Sequence, residues 1–237
     1  MRAALLELRG VRFGYPGREV LRGLDLVLRE GERLALTGAN GAGKSTLLQL
    51  LVGLHRPTAG RVLAFGRERR SEADFVPVRA RVGLLFQDPE DQLFCPTVLE
   101  DVAFGPLNLG RTRRAAREDA ARALSDLGLA GFERRVTHRL STGEKRLVAL
   151  ATVLAMRPEV LLLDEPTTGL DAAMQARLIA HLEPLAQSMI LVSHDRRLLG
   201  RLATRTVRLK EGRLEPGARP GSGHPDSTVA RAETRMR

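Results

Sequence analysis

The sequence predicts an α/β fold: a mostly parallel sheet flanked by helices, preceded by a small antiparallel β layer and interrupted by a helical insertion. Three observations carry the prediction. Strand, glycine-rich turn and helix follow one another over residues 33–52. Apolar runs of strand length at 81–86, 160–163, 189–192 and 206–209 alternate with helical stretches, the order that builds a parallel sheet through crossover connections. Between Gln87 and about Leu140 the pattern is helical, without a convincing strand. A chain of 237 residues is long enough to bury such a core in one large domain with a smaller subdomain.

Taken in order, the alternating apolar residues at 5–8 and 24–28, with turn signals at Tyr15-Pro16-Gly17 and Glu30-Gly31, read as short antiparallel strands. Arg33-Leu34-Ala35-Leu36-Thr37 is a strand, Gly38 to Gly43 a turn, and 44–52 a helix. The insertion, about 88–155, holds helices near 97–104 and 113–127, then a third opened by Ser141-Thr142-Gly143-Glu144 and running to about Met156. That tetrapeptide satisfies the S-x-x-E capping box, which explains it as a helix start without any further role. From Pro216 onward Pro, Gly, Ser and unpatterned charge replace periodicity, so 1–215 is expected to fold and 216–237 to be a disordered tail. There is no internal repeat and no sustained heptad.

Thirty-eight basic against 28 acidic residues leave a net charge of +10, which favours an anionic partner without choosing among nucleotide, nucleic acid and lipid headgroup. Seven Phe, one Tyr and no Trp are too few rings for the stacking platforms that bind single-stranded nucleic acid. A single cysteine, Cys95, excludes an internal disulfide and a Cys-based zinc cage and suits a reducing compartment. The longest mostly apolar stretch, 147–156, is well short of the roughly 18 residues that span a bilayer, and Glu7 interrupts the apolar start. The expectation is a chain that neither crosses a membrane nor is exported.

Gly38-Ala39-Asn40-Gly41-Ala42-Gly43-Lys44-Ser45, followed by Thr46, fits G-x-x-x-x-G-K-[ST] in the strand-to-helix context that this pattern requires. Glycines let backbone N–H groups wrap a phosphate, the helix N-terminus adds positive potential, Lys44 reaches the outer phosphates, and Ser45 can ligate Mg²⁺. Val160-Leu161-Leu162-Leu163-Asp164-Glu165 is an apolar strand ending in two carboxylates, where the C-terminal edge of the sheet meets the same nucleotide. Asp164 suits Mg²⁺; Glu165, one step further, can orient or deprotonate a water attacking the γ-phosphate.

Leu140-Ser141-Thr142-Gly143-Glu144, about twenty residues before the acidic strand, closely resembles the signature of ATP-binding-cassette (ABC) ATPases. The resemblance covers roughly 3–214 and includes, in family order, the phosphate loop, Gln87, the acidic pair, Gly169-Leu170-Asp171 and His194 after a strand. It implies a P-loop NTPase cassette that uses ATP and Mg²⁺ and sandwiches two nucleotides between two cassettes, head to tail. By the same resemblance Ser141 and Gly143 contact the γ-phosphate held by the other cassette, with Thr142 standing where the family usually has Gly. It further implies that Tyr15 stacks on adenine, that Gln87 joins the Mg²⁺ and water shell, that His194 bonds the γ-phosphate, and that Asp171 lies at the dimer interface.

Asp88-Pro89-Glu90-Asp91-Gln92-Leu93-Phe94 after Gln87, then Pro96-Thr97-Val98 and residues 100–106, is similar to the ATPases of energy-coupling-factor (ECF) transporters, especially their cobalt and nickel branch. In that reading Asp88, Glu90 and Asp91 offer carboxylates to arginines of integral-membrane partner subunits. The resemblance implies a peripheral subunit on the cytoplasmic membrane face that energises Co²⁺ or Ni²⁺ uptake, paired with itself or with a sister ATPase. An ATPase for another ECF substrate, such as a vitamin, is the alternative. A soluble ABC protein acting on nucleic acid is disfavoured, since neither a long coiled-coil insertion nor a second cassette is present.

Overall fold

A computed structural model of the chain describes residues 2–217. Two sheets share the molecule. Strands β1 (Ala4–Tyr15), β2 (Arg18–Arg29), β4 (Ala59–Ala64) and β5 (Arg67–Arg69) form an antiparallel sheet in the order β2-β1-β4-β5. The second sheet takes β3 (Arg33–Thr37), β6 (Val82–Leu85), β7 (Val160–Asp164), β8 (Ser188–Val192), β9 (Arg205–Lys210) and β10 (Arg213–Pro216) in the order β10-β9-β3-β8-β7-β6. All its pairings are parallel except β10 with β9, a hairpin at the edge.

The central strands are apolar throughout because both their faces are buried. On β7, Val160 and Leu162 enter a core shared with the antiparallel sheet and with α1 (Lys44–Leu51) and α2 (Glu72–Arg79). Leu161 and Leu163 point the other way, into a core built from α3 (Val98–Asn108), α4 (Arg113–Asp126), α5 (Thr142–Leu154), α6 (Ala172–Leu182) and α7 (Arg196–Leu202). On β8, Ile190 and Val192 divide from Met189 and Leu191 in the same way. The parallel arrangement sets the C-terminal ends of β3, β8, β7 and β6 side by side, each continuing into a motif singled out in the sequence.

Several boundaries differ from expectation. The first two strands are 12 residues each, not short, because they pair along their whole length through register shifts that the 5–8 and 24–28 runs do not show. The stretch 59–79 holds two strands and a helix that apolar periodicity does not signal. There β4 buries only Val62 and Ala64, and α2 carries an internal Pro77 and is held by a capping box between Ser71 and Asp74. Pro216 ends β10, opposite Val207, an edge position that needs no N–H from proline. The rest of the expected tail, beyond Gly217, lies outside the described residues.

Candidate functional site

The phosphate loop leaves β3 and enters α1 on three glycines with positive φ: Gly38 at 148°, Gly41 at 73° and Gly43 at 102°. A Cβ on Gly38 would sit 2.4 Å from the Leu209 carbonyl oxygen, and one on Gly43 would sit 2.6 Å from Val20 Cγ1. Gly41 has no neighbour within 4 Å of such an atom. Gly38→Ala is therefore expected to lower folding stability by about 2–4 kcal/mol, through overpacking against backbone on top of the positive φ, and Gly41→Ala by about 1–2 kcal/mol, from the positive φ alone. Urea unfolding midpoints compare the two directly, and equal midpoints would refute the close-approach account.

Lys44 folds over the loop, Nζ donating to the carbonyls of Gly38 at 2.8 Å and Ala39 at 3.0 Å. Burial pushes its pKa down, while Glu165 and then Asp164 push it back up. These carboxylates come from the end of β7, one strand beyond β8 in the sheet. Asp164 is buried, and burial raises its pKa against the Ser45 hydroxyl and the Lys44 and Arg146 charges. Its Oδ1 has no hydrogen-bond partner among the described residues. Glu165 stands at φ 47°, a left-handed conformation costly for a side chain, with its N–H on the Val192 carbonyl at 2.8 Å. That turn carries its carboxylate away from the strand and toward His194. The two Glu165 oxygens lie 3.4 Å from the His194 backbone nitrogen and 3.4 Å from its Nε2, and Nε2 is also 3.2 Å from Asn40 Oδ1.

A cleft of about 630 Å³ gathers most of the predicted residues: Tyr15, Asn40, Gly41, Gly43, Lys44, Ser45, Thr46, Gln87, Asp164, Glu165 and His194 line it. Gly38 shapes the loop from behind. The Tyr15 hydroxyl lies 3.3 Å from both Thr46 Oγ1 and His55 Nε2, and its ring packs edge-on against Phe13 and His55. Arg18, Val20 and Thr168 complete the lining. Sequence reasoning missed them, though Arg18 follows Tyr15-Pro16-Gly17 directly and the β1–β2 turn returns it beside Tyr15.

Ser141, Gly143 and Asp171 are not in this cleft. Ser141 caps α5, its hydroxyl accepting from the Glu144 N–H at 3.3 Å while the Glu144 carboxylate accepts from the Ser141 N–H at 2.8 Å. Asp171 caps α6 by accepting from the Met174 N–H at 2.8 Å. The two caps adjoin, since a Cβ on Gly143 would lie 3.1 Å from Met174 Sδ and one on Gly169 3.2 Å from Thr142 Cγ2. Of the three acidic residues expected to face membrane partners, Glu90 is already ion-paired with Lys145 of α5, and Asp88 caps the 3-10 turn Pro89–Asp91 by accepting from the Glu90 N–H at 2.9 Å. Asp91 is exposed and forms no ion pair among the described residues. All three remain exposed, and Asp91 is the one of them engaged neither in an ion pair nor in a cap among the described residues.

The cleft floor suits a divalent cation. Asp164 Oδ1 is buried and unpartnered, the Ser45 hydroxyl is beside the same carboxylate, and hard oxygen donors are what Mg²⁺ takes. Among the described residues, the cleft included, no three His, Cys, Asp or Glu side chains group as metal ligands, and no helix is long and apolar enough to cross a membrane.

Comparison with known proteins agrees with this geometry. Residues 21–168 match the ABC transporter family model. A Brucella suis protein, provisionally named an ABC transporter ATP-binding protein, is 54% identical over 90% of this chain and 88% of its own. The nickel import ATP-binding protein NikO of Rhodobacter capsulatus is 48% identical over 88% of this chain and 86% of its own. The energy-coupling factor transporter ATP-binding protein EcfA of Methanothermobacter thermautotrophicus is 45% identical over 89% of this chain and 69% of its own. Among solved structures, cbiO1 of Clostridium perfringens, part of the ABC transporter complex cbiONQ, superposes with a TM-score of 0.79 at 34% identity, covering 92% of this chain and 89% of that one. With the family model spanning more than half of its length and such relatives spanning nearly all of it, the chain belongs to the ABC transporter family, as an ATPase that binds ATP and is coupled to transport.

Proposed function

We propose that the chain is the ATP-hydrolysing subunit of an ECF-type importer, peripheral on the cytoplasmic membrane face, and that it energises uptake of Co²⁺ or Ni²⁺. The observation that carries this reading is the segment after Gln87. There the turn Pro89–Asp91 is exposed at Glu90 and Asp91, and Phe94 stands 67% exposed with its ring 4.9 Å from that of the half-exposed Phe104. Apolar rings beside a free carboxylate form a surface for a partner carrying arginine and aliphatic groups. The names of the EcfA and NikO relatives point the same way.

Within the cleft, Lys44 and the loop N–H groups hold the phosphates, and Tyr15 offers its ring to the adenine. Glu165 orients the attacking water and takes its proton, and His194, kept in place by Asn40 and Glu165, bonds the γ-phosphate. Ser45, Asp164 and Gln87 would hold Mg²⁺, which when bound neutralises phosphate oxygen charge. Ser141, Gly143 and Asp171 serve the nucleotide of a second cassette, either another copy or a sister ATPase.

Uptake of labelled Co²⁺ and Ni²⁺ by cells expressing the chain together with ECF-type membrane subunits tests the assignment. Uptake that needs Lys44 supports it. Uptake of a vitamin instead moves the substrate within the ECF class, and co-purification with nucleic acid rather than membrane protein refutes it. Asp91→Arg is expected to leave the ATPase rate of the isolated subunit within about twofold of wild type. It should weaken transporter assembly about tenfold or more, because breaking a desolvated arginine pair costs about 2–5 kcal/mol whereas an exposed pair is worth under about 1 kcal/mol. Wild-type assembly and uptake by this variant would reduce Asp91 to a solvated turn residue.

A further inference from the structure

Arg146, on the first turns of α5, is 3% exposed, a rare burial for a guanidinium. Its Nη1 donates to the Phe86 carbonyl at 3.2 Å, and its Nε has no partner among the described residues. Burial pushes its pKa down, and the carboxylates of Asp88, Asp164 and Glu165 push it back up. Phe86 is the residue immediately after β6, whose ladder with β7 stops at Leu85 opposite Leu163, so neither of its backbone polar groups has a strand partner. Its N–H instead donates to Gln92 Oε1 at 3.1 Å. The other end of that amide, Nε2, donates to the Ala149 carbonyl at 2.8 Å and to Thr152 Oγ1 at 2.7 Å, both on α5.

Phe86 is thus gripped on both sides by side chains fixed to α5, and the next residue, Gln87, lines the cleft. We infer that Arg146 and Gln92 are positioning residues that clamp Phe86 to the signature-bearing helix and so set how far Gln87 reaches over the nucleotide. A residue held at both its N–H and its C=O follows whatever holds it. Any displacement of α5, whose N-terminus carries Ser141, is transmitted through one residue to the Gln87 side chain. Neither clamp residue lines the cleft, but the Arg146 charge also acts on the Asp164 and Glu165 carboxylates, so Gln92, which carries no charge, isolates the clamp. The carboxylates of Asp88, Asp164 and Glu165 offset the cost of burying the cation, and its one hydrogen bond among the described residues goes to the residue adjoining Gln87.

The inference rests on Gln87 acting in hydrolysis, and a double-mutant cycle separates the two claims. In the full-length subunit, Arg146→Met is expected to lower kcat about tenfold while KM for ATP stays within about twofold, the pattern of an interaction felt only in the transition state. Arg146→Lys, which keeps a cation able to reach the Phe86 carbonyl, should recover part of the rate. Gln92→Leu, which breaks the other half of the clamp without removing a charge, should reproduce the loss, and it carries the cycle. Combined with Gln87→Ala, Gln92→Leu should add no further loss to that of Gln87→Ala alone. Losses that multiply, or a KM that rises as kcat falls, would overturn the clamp while leaving Gln87 its role. Wild-type turnover by Gln87→Ala would remove the role of Gln87 and the clamp with it.

Discussion

Glu165→Gln is expected to bind ATP at least as tightly as the wild-type chain and to lose about 10²–10⁴ of its turnover, the usual contribution of a general base. Both halves follow from where the side chain sits. Glu165 is almost fully buried at the mouth of β7, its carboxylate turned to His194 rather than to the phosphate loop. Lys44 and the loop N–H groups, proposed to hold the phosphates, keep their places, and Lys44 loses only a competing carboxylate. The amide keeps the shape and can still accept from the His194 N–H, while removal of a negative charge relieves repulsion with the nucleotide. What it cannot do is take a proton from water. Equilibrium binding of ATP beside a steady-state phosphate-release assay measures the two together, and hydrolysis near the wild-type rate would strip Glu165 of the assignment. Asp164→Asn supplies the contrast. It removes charge at the buried oxygen assigned to Mg²⁺, so its defect should appear in the Mg²⁺ dependence of binding as well as in turnover.

Most of the cleft was legible in the sequence because its parts are local. The phosphate loop is one contiguous run between a strand and a helix, and the acidic pair ends an apolar strand. Their convergence follows once the sheet is parallel, since every crossover delivers the next strand's C-terminal end to the same edge. The resemblance to ABC ATPases added Gln87, His194 and Tyr15, residues whose types alone would not have distinguished them. What stayed hidden depends on contacts between distant segments. Arg18 reaches the cleft only through the register of β1 with β2, and the commitment of Glu90 to Lys145 joins residues that are 55 apart in the chain. The strands at 59–69 are held by pairing with β1 rather than by their own apolar content, so periodicity had nothing to report.

The absence of Ser141 and Gly143 from the cleft that contains Lys44 leads to the second large effect: neither Lys44→Ala nor Ser141→Arg should hydrolyse ATP alone, and a mixture of the two should. Within one chain the phosphate loop and the α5 cap belong to different surfaces. Lys44→Ala removes the cation of the loop. Ser141→Arg replaces an exposed hydroxyl at a helix N-terminus with a bulky cation and breaks a capping box, at a cost of about 1 kcal/mol, small enough for the chain to stay folded. In a heterodimer of the two variants, Lys44 of the Ser141→Arg chain meets Ser141 of the Lys44→Ala chain, restoring one complete site and leaving the other doubly defective. Random pairing of equal amounts makes about half the dimers heterodimers with one working site of two, so recovery should approach about a quarter of wild-type activity if the sites turn over independently. Activity that appears on mixing and rises with the heterodimer fraction would establish that the two residues serve one nucleotide from two chains. Verified heterodimers with no activity would place Ser141 and Lys44 in the service of the same chain's nucleotide, and the separation of α5 from the cleft would then have to close within a single cassette.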